Sequence, residues 1–443
     1  MISPYVTSGP VTGADFYGRR ELLDEIAAGR CRAIYFFGTR QIGKSSLLRQ
    51  VETLVPAVFL DLQWAGGRLE DLARQGRREV RRKRRQYAWL PADDGLPDDL
   101  FGLLEAVNDT AEEAGERLWV LMDEAEIWVR VARSDPEVLH RLRGIVQNCP
   151  ALRVVLAASK SLSEANTLTG ETGSPFLSGF ALRYLGPLST QDGAALLRQE
   201  KGNVPMTVGA ELSTQLLALT GGHPLLLQLL GERLYEDGHL RPPTKGDLTG
   251  ILDQAVKTGI FPQDFAALSG PERAILHAIS SGQPLPTDAH PTYLHGLVGL
   301  GILRREEDSY AIGNAFFAHW LREQADWEVK AEVSAEGTLT VYTQSELEPV
   351  LEAVRENRLA LAEMEQMLGA IRRALLVWQQ KGMPGTKRLA AALEKPGGPR
   401  HKLEATLPLL PGALAYKLEW GGEVRDLLVA LRAASIHNGK REG

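Results

Sequence analysis

The stretch FFGTRQIGKSSLL, residues 36–48, decides the fold because it places a glycine-containing turn between an apolar run and an amphipathic run. Residues 38–45 match the pattern GxxxxGK[ST] in full. Glycines let successive backbone N–H groups turn toward phosphate oxygens, and the start of the following helix adds a fixed positive end. The pattern therefore predicts a phosphate-binding loop between a strand and a helix.

Every residue of this loop is a candidate nucleotide ligand, and Lys44 and Ser45 have distinct roles. In such loops the lysine reaches the β- and γ-phosphates, and the serine hydroxyl ligates Mg²⁺. The predicted cofactors are therefore ATP or ADP with Mg²⁺. The candidate nucleotide-binding residues of the loop are Gly38, Thr39, Arg40, Gln41, Ile42, Gly43, Lys44, Ser45 and Ser46.

A second apolar run, LWVLMDE at 118–124, ends in two carboxylates. Asp123 is expected to hold Mg²⁺ together with Ser45, and Glu124 is the candidate base that orients the attacking water. With Lys44 they form the predicted catalytic set. Glu126 is an alternative base, although a surface carboxylate is the simpler interpretation.

The apolar run 154–158 is followed by Ser159 and Lys160. In a doubly wound sheet this point lies close to the terminal phosphate. Either residue is therefore a candidate phosphate sensor, and the alternative is a polar residue that merely ends a strand.

Five short runs, apolar at successive positions, alternate with helical patterns in the first part of the chain. Such runs are typical of parallel strands covered on both faces, so residues 1–188 are predicted to be an α/β core. The predicted strands are 33–37, 57–62, 118–122, 154–158 and 181–185.

The pattern becomes helical after residue 188. Residues 189–260 are predicted to form a helical lid, with helices that start after Ser189, near 208 and at Pro224. In 261–326, helices at 270–279 and 292–300, strands at 302–305 and 310–312 and a helix at 315–324 indicate a winged helix. Residues 327–443 are predicted to be a mostly helical α+β interaction module, with a strand at 337–343 and a long helix from Ser345 to about 380.

Composition fits a soluble protein of several domains. The chain has 443 residues, 44% of them hydrophobic and 24% charged, with a net charge of −6. Cys31 and Cys149 lack metal-ligand spacing, so both are expected to be buried, reduced thiols without zinc. Neither a leader nor an apolar run of membrane-spanning length is evident, so a cytoplasmic protein with no membrane contact is expected.

Several segments in a fixed order resemble the STAND/AAA+ ATPases, in the prokaryotic signal-transducing branch related to the Orc/Cdc6-like ATPases. They are the phosphate loop, FYGRRELLDEI (16–26), LWVLMDE (118–124), RVVLAASKS (153–161), SPFLSGFALRYLGPLS (174–189) and LTGGHPLLLQLL (219–230). The resemblance covers about 14–325. It implies that Tyr17, Gly18 and Arg19 wrap the adenine, that His223 contacts the β-phosphate, and that Pro224 fixes the helix entry.

The chain departs from this family where an arginine often follows the segment matching 174–180. Here Ser178-Gly179-Phe180 occupies that place, and Arg183 lies three positions away. An arginine finger that reaches a neighbouring subunit is therefore not expected, and neither is fast hydrolysis by a ring.

Two charged segments indicate which kinds of partner the protein could bind. Residues 291–300 contain no Arg or Lys and the turn after them is Glu306-Glu307-Asp308, so DNA binding through the winged helix is not expected. The basic run, residues 74–86, has eight Arg or Lys and one Glu. It could contact nucleic acid, an acidic partner or another subunit, or it could be a solvated helix face.

The preferred hypothesis is a slow ATPase of STAND type. Its nucleotide state would control homo-oligomerisation or engagement of an effector or regulatory protein, in bacterial defence or regulation. One alternative is an Orc/Cdc6-like ATPase that associates with DNA. The other is a static scaffold that keeps its nucleotide as a structural cofactor.

Overall fold

The computed structural model describes residues 3–325, except 136, 160–161, 163–164, 166–174, 203–205, 283–284, 286–289 and 308, and four short segments beyond them. The chain divides into two compact units, with the division between Leu321 and Arg322. The predicted domain edges at 188 and 260 separate elements inside the first unit, and they stay predictions.

The core of the first unit is a five-stranded parallel sheet in the order β2-β3-β4-β1-β5. All five predicted strands are confirmed, with ends that differ by two residues or fewer. The strands are β1 Ala33–Phe37, β2 Ala57–Asp61, β3 Leu118–Asp123, β4 Leu152–Ala158 and β5 Ala181–Tyr184.

Helices cover both faces of this sheet, which explains why the strands are apolar at successive positions. Ile34 and Phe36 of β1 pack in one hydrophobic cluster, and Ala33 and Tyr35, which alternate with them along the strand, pack in another. Alternate side chains of a strand point to opposite faces, so each face needs its own apolar set. The helices are α1 Arg20–Ala27, α2 Lys44–Val51, α3 Leu69–Lys83, α4 Leu100–Glu113, α5 Ile127–Ser134 and α6 Glu137–Asn148.

The predicted lid begins with a capped helix. The Ser189 hydroxyl accepts from the Asp192 backbone N–H, and α7 follows. Two helices, α10 at the end of the lid and α11 after it, were not predicted as separate elements. The lid contains α7 Thr190–Leu197, α8 Ala210–Thr220, α9 Pro224–Leu234, the hairpin β6 Tyr235–Glu236 with β7 His239–Leu240, and α10 Lys245–Lys257; α11 Ile260–Ala267 leads on to the winged helix.

The winged-helix segment has the predicted order of elements. It contains α12 Gly270–Ser280, α13 Pro291–Gly299, β8 Leu303–Arg305, β9 Tyr310–Ile312 and α14 Ala315–Ala325. Its buried residues belong to the same hydrophobic cluster as those of the lid, which joins, for example, Leu227 and Leu230 to Leu276 and Trp320. The lid and the winged helix are therefore packed around one core.

Backbones approach closely where the winged helix meets the link between β5 and α7 and the turn between α8 and α9, and also within the winged helix itself. We call Gly186, Gly221, Gly301 and Gly313 the glycine seam. A Cβ at Gly186 would lie 2.7 Å from the Gly299 carbonyl oxygen, and a Cβ at any of the other three would overlap Pro187 or a seam carbonyl. No side chain can be inserted there without moving the main chain.

The second unit is described by a four-stranded sheet in the order β10-β11-β12-β13. Its strands are β10 Ala331–Val333, β11 Leu339–Val341, β12 Leu403–Ala405 and β13 Tyr416–Lys417. Strand β11 lies within the strand predicted at 337–343, while the helix predicted from Ser345 to about 380 lies outside the described residues. In the described part of the chain, no helix combines the length and the apolar character that crossing a bilayer requires.

Candidate nucleotide-binding site

The phosphate loop has the predicted setting, between the end of β1 and the start of α2. Gly43 precedes the helix with φ of 98°, a backbone conformation that glycine adopts without strain. Lys44 is buried, and its Nζ donates to the carbonyl oxygens of Gly38 at 3.1 Å and Thr39 at 2.7 Å. Its charge is thus held over the loop by backbone dipoles, and burial lowers the pKa of the ammonium.

The predicted metal pair comes together. Ser45 hydrogen-bonds to the Asp123 carboxyl at the end of β3, and burial raises the pKa of that carboxyl. The backbone N–H of Glu124 also donates to Asp123 Oδ1 at 3.1 Å. A hydroxyl and a carboxylate are oxygen ligands of the kind that Mg²⁺ prefers, with phosphate oxygens and water in the other positions.

Glu124 and Glu126 hydrogen-bond to each other. Burial, and then the charge of Glu126, raise the pKa of Glu124. Glu124 itself has φ of 54°, a left-handed conformation that is strained for a residue with a Cβ. The Glu126 carboxylate also accepts from the Ser159 backbone N–H at 3.3 Å. Glu126 is therefore partly buried beside Glu124 in the candidate site, and its role as an alternative base stays a prediction.

The sensor candidates are described in part. Ser159 is buried at the end of β4, and its backbone N–H is the group that contacts Glu126. Lys160 lies outside the described residues. The sensor role stays a prediction for both.

Two elements outside the α/β core hold the same residue of the phosphate loop. His223, the N-cap of α9, places Nε2 3.3 Å from the Arg40 carbonyl oxygen. Asp264, on α11, accepts from the Arg40 backbone N–H at 2.8 Å. Because a carbonyl oxygen can only accept, His223 has its proton on Nε2 in this contact. The lid and α11 are thereby fastened to the loop at one peptide unit on each side of Arg40.

Both of these side chains are buried and carry shifted pKa values. Burial lowers the pKa of His223 to about 4, so the ring is neutral at pH 7. Burial raises the pKa of Asp264 to about 7, against the opposing effects of the Arg40 N–H and the Lys44 charge. His223 Nδ1 is buried and has no hydrogen-bond partner in the described structure. A buried polar atom of this kind beside the loop fits a site built for a polar ligand. Pro224 follows at the first position of α9, as predicted.

Residues 16–19 join the phosphate loop to the lid. The Arg19 guanidinium donates to the carbonyl oxygens of Ile42 at 3.3 Å, of Pro187 at 3.2 Å and of Gly186. The Tyr17 hydroxyl accepts from the Lys201 backbone N–H at 3.2 Å. A Cβ at Gly18, where φ is 72°, would lie 2.9 Å from the Asp192 carboxylate. The segment borders the predicted nucleotide site, and its adenine-binding role stays a prediction.

Two other loop residues differ in what their side chains can offer. The Ser46 hydroxyl accepts from the Val11 backbone N–H at 3.1 Å, and its nucleotide-binding role stays a prediction. Gln41 is exposed with φ of 57°. Thr39 and Ile42 are buried, and both line a cavity that also contacts His223 and Asp264.

Arg183 is engaged within its own chain. Its guanidinium donates to the two carboxylate oxygens of Glu25 at 3.0 and 2.6 Å. The same carboxylate accepts from the Cys31 thiol at 3.3 Å. Cys31 is partly exposed, so its prediction as a buried thiol is wrong, whereas Cys149 is buried as expected. An Arg183 that served a neighbouring subunit would first have to leave Glu25.

The basic run lies on α3 and the turn after it, and most of its cations contact groups of the same chain. Carboxylates neutralise the majority, and one guanidinium stacks over an indole ring. The contacts are Arg74 with Asp71, Arg77 with Asp98, Arg81 with Asp93, Arg82 with Glu52 and Glu79, Lys83 with Glu52, and Arg78 over Trp64. Five of the eight cations in the run are therefore paired with carboxylates of the same chain, which lowers the net positive charge of this face.

Asp264 is a residue of the candidate site that the sequence prediction missed, whereas Glu126 was named as an alternative base. Asp264 had a detectable signal, because Ile260 and Asp264 are four residues apart and lie together on the buried face of α11. A lone carboxylate on an apolar helix face marks a buried partner without naming it. Its partner, a backbone N–H more than 200 positions away, leaves no pattern in the sequence.

The sheet order and the loop between β1 and α2 define the class of fold: the chain has an α/β P-loop fold. No family model and no curated protein matches the sequence. Among solved structures, the Walker-type ATPase of Pyrococcus abyssi is 20% identical, with a TM-score of 0.52 and coverage of 72% of this chain and 99% of that chain.

Two further solved structures are similar at lower scores. The ORC2 protein of Aeropyrum pernix, in ADPNP–ADP complexes, is 15% identical with a TM-score of 0.41, covering 73% of this chain and 97% of that one. The RuvB Holliday junction branch migration motor of Thermotoga maritima is 12% identical with a TM-score of 0.31, covering 69% of this chain and 95% of that one. Of these three structures, the Pyrococcus ATPase supports the fold of this chain.

Proposed function

We propose that the protein is a slow ATPase that acts as a nucleotide-dependent switch. Phosphate binding is supported by the loop with its buried Lys44, and Mg²⁺ binding by the contact between Ser45 and Asp123. Bound ATP with Mg²⁺ would supply the reactive phosphoanhydride and the charge that polarises it. Glu124 is then the group that orients a water molecule for attack.

The observation that carries the switch is the double hold on Arg40. His223 from the lid and Asp264 from α11 contact the carbonyl and the N–H groups on either side of one loop residue. Phosphates that entered the loop would compete for this region, so nucleotide occupancy and the position of both elements are linked. A ligand shifts a conformational equilibrium only when it binds the two states differently, and these contacts offer that difference.

We infer slow ATP turnover from the positions of the arginine residues. Arg183 is bound to Glu25, and residues 178–180 contain no arginine. Since an arginine supplied to the terminal phosphate accelerates hydrolysis by about 10³-fold or more in related chemistry, its lack favours a long-lived ATP state. A long-lived state suits a switch better than a motor.

The switch can be tested by small-angle scattering and mass photometry of the full chain, alone and with ADP or a non-hydrolysable ATP analogue. We expect the ATP-analogue state to differ from the ADP state in shape or in assembly. Lys44→Ala is the matched control, because it should abolish the nucleotide-dependent difference while keeping the fold. Identical profiles in all three states of the wild type would contradict the switch and favour the static scaffold.

The DNA-associated ATPase stays as the alternative function. The internal pairing of the basic run weakens its support, and Arg304, beside the acidic turn of the winged helix, pairs with Glu306. Asp308 of that turn lies outside the described residues. Salt-dependent DNA binding that is lost when Arg84 and Arg85 are replaced would favour this alternative.

The finer parts of the proposal concern the cellular setting. Membership of the STAND branch, an effector or regulatory partner, nucleotide-dependent homo-oligomerisation, a role in bacterial defence and a cytoplasmic location all stay predictions. Pull-down from cells that express the Glu124→Gln variant would test the partner, since that variant should accumulate the ATP state.

A further inference from the structure

Asp264 is a buried carboxylate placed against the phosphate loop. The side chain is nine-tenths buried, and Oδ1 accepts from the Arg40 backbone N–H at 2.8 Å. The nearby cations that attract it are Lys44 and Arg40. His223, which also contacts Arg40, is neutral and so adds no compensating charge.

These partners are groups that a phosphate loop otherwise offers to phosphate oxygens. Backbone N–H groups of such loops surround the phosphates, and the loop lysine reaches the β- and γ-phosphates. Asp264 accepts from an N–H group of the loop itself, so a phosphate that enters the loop meets this negative group. A triphosphate carries more charge than a diphosphate and is repelled more strongly by it.

The carboxylate and a phosphate oxygen would compete for the same N–H group. Asp264 Oδ1 accepts from the Arg40 N–H at 2.8 Å, so a phosphate oxygen that took over this contact would displace Asp264 from the loop. Asp264 is nine-tenths buried and lines one cavity with Thr39, Ile42 and His223, so this displacement would require α11 to move.

We propose that Asp264 makes the site discriminate against nucleoside triphosphate in favour of nucleoside diphosphate, an inference that rests on the proposed nucleotide-binding function. A fixed carboxylate repels the extra charge of a third phosphate, whereas a diphosphate leaves its contacts in place. Triphosphate binding displaces Asp264 and, with it, α11. Since α11 leads directly into α12, this displacement is the step that reports the third phosphate to the winged helix.

The test measures the dissociation constants of ADP and of a non-hydrolysable ATP analogue with Mg²⁺ by isothermal titration calorimetry on the full chain, at pH 8, where most of the Asp264 carboxyl is ionised. Asp264→Asn keeps the size of the side chain and an oxygen that can accept from Arg40, but removes the charge. We expect it to tighten binding of the ATP analogue by about tenfold and to change ADP binding by less than about twofold. Asp264→Glu restores the charge and should keep the wild-type preference, while Asp253→Asn, at an exposed site on α10, should change neither constant.

The outcomes separate this inference from the proposed function. If the wild type binds both nucleotides and Asp264→Asn leaves the ratio of the two constants unchanged, the role of Asp264 is refuted and the nucleotide site stands. If neither the wild type nor any Asp264 variant binds nucleotide, both fall. Should Asp264→Asn fail to fold, Asp264→Ser offers the same comparison, and an unchanged ratio there refutes the inference equally.

Discussion

The free energy of unfolding of the nucleotide-free protein should depend on pH through Asp264, and Asp264→Asn should remove that dependence. Burial raises the pKa of this carboxyl from 3.8 to about 7 in the folded protein. The folded state therefore holds the proton more tightly than the unfolded state, and stability from this group is complete below pH 4 and lost as pH rises to 7.

The magnitude follows from the size of the shift. A change of about 3 pKa units, at about 1.4 kcal/mol for each unit, gives about 4 kcal/mol between pH 4 and pH 8. Asp264→Asn should thus be similar to wild type near pH 4 and more stable by about 4 kcal/mol at pH 8. The residual exposure of 9% is small enough that solvent screening does not remove the effect.

The assay is chemical unfolding followed by tryptophan fluorescence at several pH values from 4.5 to 8, with Asp253→Asn as the exposed control. The difference between Asp264→Asn and wild type should grow with pH, most steeply between pH 5 and 7. A difference that is constant across this range would refute the burial argument, because it would mean that Asp264 titrates alike in the folded and unfolded chains.

The remaining predictions concern four other positions. Lys44→Ala should weaken binding of an ATP analogue by at least about tenfold in calorimetry, because a charged donor to phosphate is lost. Glu124→Gln should bind ATP normally but slow phosphate release by about 100-fold or more; normal turnover would reassign the base. The lowered pKa of His223 means that the wild type should lose about 3 kcal/mol of unfolding free energy as pH falls from 6.5 to 4. His223→Gln should remove this loss, and unfolding curves of both proteins at pH 4.5 and 7 would measure it. Gly313→Ala should lower the free energy of unfolding by about 1–3 kcal/mol, because its Cβ would overlap the Gly301 carbonyl, whereas Gly144→Ala on α6, with open space around it, should not.

The sequence was sufficient for features that depend on local pattern. The prediction included the strand that ends at Phe37, the loop to Ser45 and the carboxylates Asp123 and Glu124 at the end of β3. Buried strands and phosphate loops leave short patterns in a sequence, so these features could be recognised. The helix that starts at Pro224 was predicted for the same reason, since proline fixes a first helical position.

Features that depend on contacts between distant segments could not be predicted in this way. The neutralisation of Arg81 by Asp93 requires the turn after α3 to fold back, and nothing in either residue's neighbourhood specifies that return. The same holds for Asp264 and Arg40, which the packing of α11 against the loop brings together. A count of charged residues in a sequence therefore overstates the net charge of the protein surface whenever such pairs form within the chain.

The glycine seam has a consequence for how this protein can vary. An interface between side chains can change gradually through substitutions that add or remove one methyl group. An interface in which main chains are in contact cannot change in such small steps. We therefore expect homologues either to keep the whole contact between the winged helix and the link after β5 or to lack it entirely. A homologue with a larger residue at Gly186 or Gly301 must place the winged helix differently against the link after β5, and one with a larger residue at Gly221 must place it differently against the lid. These positions therefore indicate which arrangement a homologue adopts.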